Sequence, residues 1–249
     1  MKTVLDIYYT EQKHPMQMLD LYLPETDSFP VFIYFHGGGL ENEDRLSGRE
    51  SMKVLAAHGV AAVAVDYRKY PEVQYPAFIE DVATAVAWVK KNISQYGKSE
   101  GIYVGGSSAG GYLSMMLCFD KKYLGAHGID PLEIAGWFHD AGQPTKHFTV
   151  LKYGGADFRR VIVDEAAPLY HIGTAERHSP MRFIVSDDDI DGRYEQIMLV
   201  LSTMKHFGYS GYDYKLMHGT HCHYCDIVSE TKGILGKMVL DFIKNPPRA

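Results

Sequence analysis

The chain has 249 residues, enough for one α/β domain or two small ones, and no linker-like stretch divides it, so a single domain over 1–249 is expected. Acidic and basic residues are interspersed and sum to a formal charge of −6, which leaves no basic stripe and argues against nucleic acid as a partner. No apolar run approaches membrane-spanning length, Met1-Lys2-Thr3-Val4-Leu5-Asp6 reaches an acid before any signal core forms, and three cysteines cannot build a disulfide framework, so a cytoplasmic chain with free thiols and no membrane contact is expected.

Residues 2–9 and 17–23 are rich in Val, Leu, Ile and Tyr around a polar break and read as an antiparallel pair at a sheet edge. Val31-Phe32-Ile33-Tyr34-Phe35 is a continuous apolar run, as expected of a strand buried on both faces, and it runs into His36-Gly37-Gly38-Gly39. A helix is predicted over 45–58 and a buried strand over Val60–Val65. In the segment 76–95, Ile79, Val82, Val86, Val89 and Ile93 step by three and four, the mark of a helix laid on a sheet. Strand 101–105 and helix 109–118 flank Gly105-Gly106-Ser107-Ser108-Ala109-Gly110-Gly111, and 134–138 supplies the next strand. Periodicity weakens between Asp140 and Pro168, where a small cap insertion over the strand ends is expected. Strand 181–185, a helix carrying Tyr194, Ile197, Met198, Leu201 and Met204, strand 212–217 and a last helix presenting Ile227, Ile234, Met238 and Phe242 complete the chain. Strands alternating with helices predict an α/β fold with a mostly parallel, doubly wound sheet of about eight strands.

The Gly-x-Ser-x-Gly pattern centred on Ser108 sits between a strand and a helix. A sharp turn there lifts a hydroxyl above the sheet, where a base and an acyl carbonyl can both reach it. A phosphate loop fits poorly, because Gly111 stands where the lysine should follow Gly105-x4-Gly110. The glycines after His36 let backbone N–H groups approach a developing oxyanion.

The serine needs a base, and the base an anion. His221, shortly after the last strand, is the chosen base, with His218 and His223 as competitors; Asp189, after strand 181–185, is the chosen acid, with Asp187 as runner-up and Asp191 better placed to cap the next helix. Asp187-x-Asp189-x-Asp191-Gly192 imitates a calcium loop, but its twelfth position is Met198 rather than glutamate, so no metal is assigned. His221, Cys222, His223 and Cys225 have the residue types of a zinc site, and Cys222-x-x-Cys225 those of a redox pair; both lack visible partners in the sequence, and the thiols are readily accounted for as small packing residues.

Together, His36-Gly37-Gly38-Gly39, Gly106-Ser107-Ser108-Ala109-Gly110, the acidic turn ending at Asp189 and the loop around His221 resemble the hormone-sensitive-lipase-like esterase branch of the α/β-hydrolase superfamily, from about Leu19 to Phe242. The resemblance implies an esterase working without a cofactor on a small-molecule ester. Gly37, Gly38 and Ala109 would form the oxyanion hole, and Ser108, Asp189 and His221 the triad. Gly39, Leu40, Ser107, Gln143 and Phe148 are the candidate substrate contacts, and Trp137, Phe138, Phe148 and Tyr153 could hold an aromatic acyl group of acetyl- or feruloyl-esterase type. Formylkynurenine-hydrolysing relatives carry tryptophan where this chain has Leu40, which weakens an amidase reading. An amide or peptide hydrolase, a non-catalytic ligand-binding protein and a zinc hydrolase are the alternatives.

Overall fold

The computed structural model describes residues 1–226 and 229–248. Eight strands form one sheet: β1 (Lys2–Tyr8), β2 (Met18–Leu23), β3 (Ser28–Phe35), β4 (Ala61–Val65), β5 (Lys98–Ser107), β6 (Gly136–Asp140), β7 (Met181–Asp188) and β8 (Tyr212–Thr220). Their spatial order is β1-β2-β4-β3-β5-β6-β7-β8; β1 and β2 are antiparallel to their neighbours, and every pair from β4 to β8 is parallel. The expected α/β-hydrolase architecture is present.

Alternation along the central strands sorts side chains onto two cores. Val31, Ile33 and Phe35 of β3, with Val63 and Val65 of β4, join a cluster under helices α2 (Ala77–Asn92), α3 (Ala109–Phe119) and α6 (Arg193–His206). The intervening Phe32, Tyr34, Ala62 and Ala64 face the opposite layer, formed by α1 (Arg49–Ala57) and α7 (Ile234–Lys244). Two short helices, α4 (Lys122–Gly125) and α5 (Phe148–Tyr153), lie in connections. Trp137 and Phe138 alternate in the same way and are fully packed in the two cores, so neither is free to hold an aromatic acyl group.

Boundaries differ from expectation where side chains compete for backbone groups. The helix predicted from residue 45 begins at Arg49, because the Arg45 N–H is drawn to the Asp66 carboxylate instead. β7 and β8 extend to Asp188 and Thr220, beyond the apolar runs that marked them, because the two strands continue to pair through their polar ends. α6 is preceded by a left-handed Gly192 without a side-chain cap, so Asp191 does not cap it. Met238 and Phe242 of α7 are buried as expected; Ile227 lies outside the described residues.

Register assembles the site. Phe35 pairs with Gly106, Ser107 with Asp140, and Asp188 with Thr220. The loops leaving the C-terminal ends of β3, β5, β7 and β8 therefore converge, where open parallel sheets hold their ligands.

Candidate active site

Ser108 occupies the turn from β5 into α3 with φ 55° and ψ −114°, a conformation that ordinarily costs a side-chain-bearing residue about 1–3 kcal/mol. Its N–H donates to the Asp140 carbonyl at 2.8 Å, and its carbonyl accepts from Tyr112 N–H at 3.0 Å, fixing both sides of the turn. A Cβ on Gly110 would lie 1.9 Å from the Phe35 carbonyl oxygen, so only glycine lets the helix start pass so close to β3.

His221 Nε2 stands 2.8 Å from Ser108 Oγ, and its Nδ1 stands 2.5 Å from Asp189 Oδ1. The three residues proposed from sequence thus form one hydrogen-bonded chain. The Asp189 side chain is buried and also accepts Ile190 N–H at 2.7 Å. Burial opposes its charge, but the His221 hydrogen bond and charge, with Ile190 N–H and the Arg193 guanidinium, outweigh it and hold the carboxyl below its usual range. Burial likewise disfavours the His221 imidazolium, yet its contacts with Asp189 and Cys222 prevail and push this histidine up. The competitors are placed elsewhere: His218 is exposed and pairs with Asp187, while His223 Nδ1 contacts the Thr220 carbonyl. With Asp187 and Asp189 each engaged by a histidine, the calcium-like spacing has a different role.

The loop after β3 is shaped by a residue that sequence spacing does not reveal. Tyr67 hydroxyl, fully buried, donates to the carbonyls of His36 at 2.9 Å and Gly37 at 3.1 Å, and its ring stacks on His36 at 4.4 Å. In a trans peptide the N–H points opposite to the carbonyl, so these bonds turn the Gly37 and Gly38 N–H groups away from Tyr67. Gly38 has φ 87°, and a Cβ there would fall 2.1 Å from the Asn42 carbonyl oxygen. A Cβ on Gly37 would lie 3.4 Å from Ser108 Cβ, so this loop borders the serine. Ala109, first residue of α3, contributes an N–H from the helix start.

The segment 140–168 reaches back to this loop. Thr149 hydroxyl donates to the Gly39 carbonyl at 2.6 Å, Lys152 and Tyr153 both donate to Glu41, and Phe148 lies over Gly39. Tyr153 stacks on Tyr70 at 4.2 Å. A cavity of about 530 Å³ lies alongside, bordered by Gln143, Phe148, Phe158, Val161, Ile190 and Arg193. Among the candidate substrate contacts, Gln143 and Phe148 line it. Leu40 instead packs wholly into the core, and Ser107 turns its hydroxyl inward to Asp140 at 2.5 Å. Arg193, also missed, is buried, borders the cavity and donates to the Ala141 carbonyl.

Comparison with known proteins agrees with the fold. Residues 19–188 match the model of the BD-FAE family, which is more than half of the chain. The chain belongs to the BD-FAE family. This BD-FAE protein is 36% identical over 107 residues to esterase LipC of Mycobacterium tuberculosis, a stretch covering 41% of the chain and 27% of LipC. It is 34% identical over 110 residues to the gibberellin receptor GID1B of Arabidopsis thaliana, covering 42% of the chain and 31% of the receptor. The matched stretches are thus about a third or less of these relatives' own length. Among solved structures, esterase B from Lactobacillus Rhamnosis superposes with a TM-score of 0.80 at 19% identity, over 98% of this BD-FAE protein and 85% of that chain, which shows a shared fold. The expected resemblance to α/β-hydrolase esterases is borne out.

Proposed function

We propose that this chain is a serine carboxylesterase acting through an acyl-enzyme, with Ser108 as nucleophile, His221 as base and Asp189 as the anion that fixes the imidazole. The observation that carries the reading is the continuous hydrogen-bonded chain from Asp189 Oδ1 through both nitrogens of His221 to Ser108 Oγ. His221 takes the Ser108 proton as Oγ attacks the ester carbonyl, and the N–H groups of Gly37, Gly38 and Ala109 hold the oxyanion. The alcohol leaves with the proton from His221. Water, deprotonated by the same nitrogen, then releases the acid and restores the serine.

Short-chain or small aryl esters, of acetyl or feruloyl type, form the proposed substrate class. Supporting it are the size of the cavity and its apolar side chains Phe148, Phe158, Val161 and Ile190. The segment 140–168 serves as a small cap on a single catalytic domain. A cytoplasmic setting belongs to the same proposal and is supported by free Cys118, Cys222 and Cys225; among the described residues no helix is long and apolar enough to cross a membrane.

A relative named as a receptor gives a second reading some weight, namely ligand binding without turnover. One experiment separates the two. The intact protein is treated with a fluorophosphonate and analysed by mass spectrometry, with hydrolysis of p-nitrophenyl acetate followed in parallel, for wild type and Ser108→Ala. A single adduct and turnover that both vanish in the variant are expected. Folded wild type that takes no adduct and turns nothing over would overturn the esterase in favour of the receptor. A matched ester and anilide pair then distinguishes esterase from amidase.

A further inference from the structure

We propose that Asp140, Cys222 and Cys225, joined by His221, form a site for a soft divalent cation of the zinc and cadmium class, and that its occupation silences the hydrolase by taking the base from Ser108. The silencing half rests on the esterase reading; the binding half does not.

Sequence alone leaves the two thiols without partners, and the fold supplies them. Cys222 has φ 52°, and Cys225 N–H donates to the Cys222 carbonyl at 2.9 Å, so a tight turn brings the thiols to one side. There they meet the carboxylate at the end of β6: the sulfur atoms and an Asp140 oxygen all lie within 4.8 Å of one another, with Cys225 Sγ 3.2 Å from Asp140 Oδ2. Cys222 Sγ is also 3.7 Å from His221 Nε2. A tetrahedral zinc, with bonds of about 2.3 Å to sulfur and about 2.0 Å to nitrogen, sets those two ligand atoms about 3.5 Å apart and two sulfurs about 3.8 Å apart. The two thiols and Asp140 are thus gathered on one side of such a tetrahedron and the His221–Cys222 edge already has its length, while His221 lies outside the 4.8 Å group and must swing from Ser108 to complete the four.

Its electrostatics point the same way. Asp140 is fully buried, and its hydrogen-bond donors Ser107, Tyr224 and Cys225 are all uncharged. A buried carboxylate held only by neutral donors is unfavourable, and a cation bound beside it would offset that cost. Cys118 makes the contrast: it is buried in the apolar core, the surroundings of a packing thiol. The site also has an approach. Cys225 borders a surface cavity of about 500 Å³ that carries Glu43, Glu50 and Asp226 along with Arg49 and Lys232.

Binding balances simply. The thiols of Cys222 and Cys225 release their protons to solvent as two sulfur–metal bonds form, Asp140 Oδ2 exchanges its thiol hydrogen bond for the ion, and His221 Nε2 gives its lone pair to the metal instead of to the Ser108 proton. No electron is transferred. Removing the chelatable ion restores the enzyme.

The test uses the reduced protein and cadmium or zinc alone. Cadmium titration followed by the ultraviolet thiolate-to-metal band reads binding without reference to turnover. One equivalent of ion per chain is expected, with affinity falling at least about tenfold in Cys222→Ser and in Cys225→Ser. Zinc is expected to cut ester hydrolysis at least about tenfold relative to the same protein's metal-free rate, with full recovery on adding a chelator, and to do so much less in the double serine variant. Alkylation mapped by mass spectrometry in wild type needs no variant: the ion is expected to protect Cys222 and Cys225 together. Absence of the band and of protection, or equal inhibition of the double variant, would overturn the site. Stoichiometric binding with an undiminished rate in an active enzyme would overturn the role of His221.

Discussion

Asp187 Oδ2 and His218 Nδ1 meet at 2.5 Å, forming a second acid–histidine pair on the same two strands that deliver Asp189 and His221. The pairs differ in environment: the His218 side chain is 85% exposed, whereas the Asp189 side chain is 1% exposed and His221 continues to Ser108. Only a shielded carboxylate can fix the tautomer of the base against competition from water. Asp189→Asn is therefore expected to lower kcat by about 10²–10⁴. Asp187→Asn breaks a solvated pair and is expected to change kcat by no more than about twofold. Steady-state kinetics on one ester substrate checks both, and the reverse ranking would move the acid to Asp187.

Tyr67→Phe removes one hydroxyl that holds two carbonyls of the glycine loop while leaving its ring stacked on His36. The expected outcome is a fall in kcat of about 10- to 100-fold, less than deletion of an oxyanion donor itself. KM should change little, and stability should drop by about 1 kcal/mol. A loss confined to stability would show that the loop keeps its shape without Tyr67.

The base must be neutral to accept the serine proton, so activity rises with pH as His221 deprotonates. Asp189 and Cys222 favour the imidazolium against the effect of burial. The acidic limb of kcat/KM is accordingly expected above the ordinary imidazole value of about 6.5. Cys222→Ser removes one of these influences and should move the limb down. A wild-type limb at or below about 6, or one unmoved in the variant, contradicts this account.

Buried histidines make the fold sensitive to mild acid. Burial lowers His36 and His139 to about 3 and His178 to about 4, with Lys69 adding to the effect at His36 and His178 at His139. Because the folded values lie below the unfolded value of about 6.5, the unfolded chain binds the protons first. Their contribution is complete above that pH and is lost as pH falls towards the folded values. At pH 5, His36 and His139 should each cost about 2 kcal/mol. Urea midpoints should thus fall clearly between about pH 6.5 and pH 5, before most carboxylates titrate. Equal midpoints at pH 7 and pH 5 would contradict this linkage.

The elements that carry a strong local signal were legible in the sequence. β3 and β4 announce themselves as apolar runs, and α2 by its spacing, because each is buried by neighbours that want the same pattern. Ser108, Asp189 and His221 could be proposed because chain order after successive parallel strands dictates where loops emerge. What spacing could not convey was side-chain direction. Leu40 and Ser107 sit beside the glycine loop and the serine in sequence, yet point into the interior. Trp137 and Phe138 look available in a strand followed by an irregular segment, but the sheet buries both their faces. Tyr67, Asp140 and Arg193 act through partners 30 or more residues away, and no local pattern encodes such contacts.

The 113-residue separation between Ser108 and His221 also orders events during synthesis. A ribosome delivers the nucleophile turn and its oxyanion loop well before the segment that bears the base. At about 5–20 residues per second, that interval lasts several seconds or more, during which a nascent chain can carry the serine without any means of activating it. On the proposed esterase reading, hydrolytic competence is thus acquired only when β8 docks on β7, and the growing polypeptide is inert towards esters until that strand is in place.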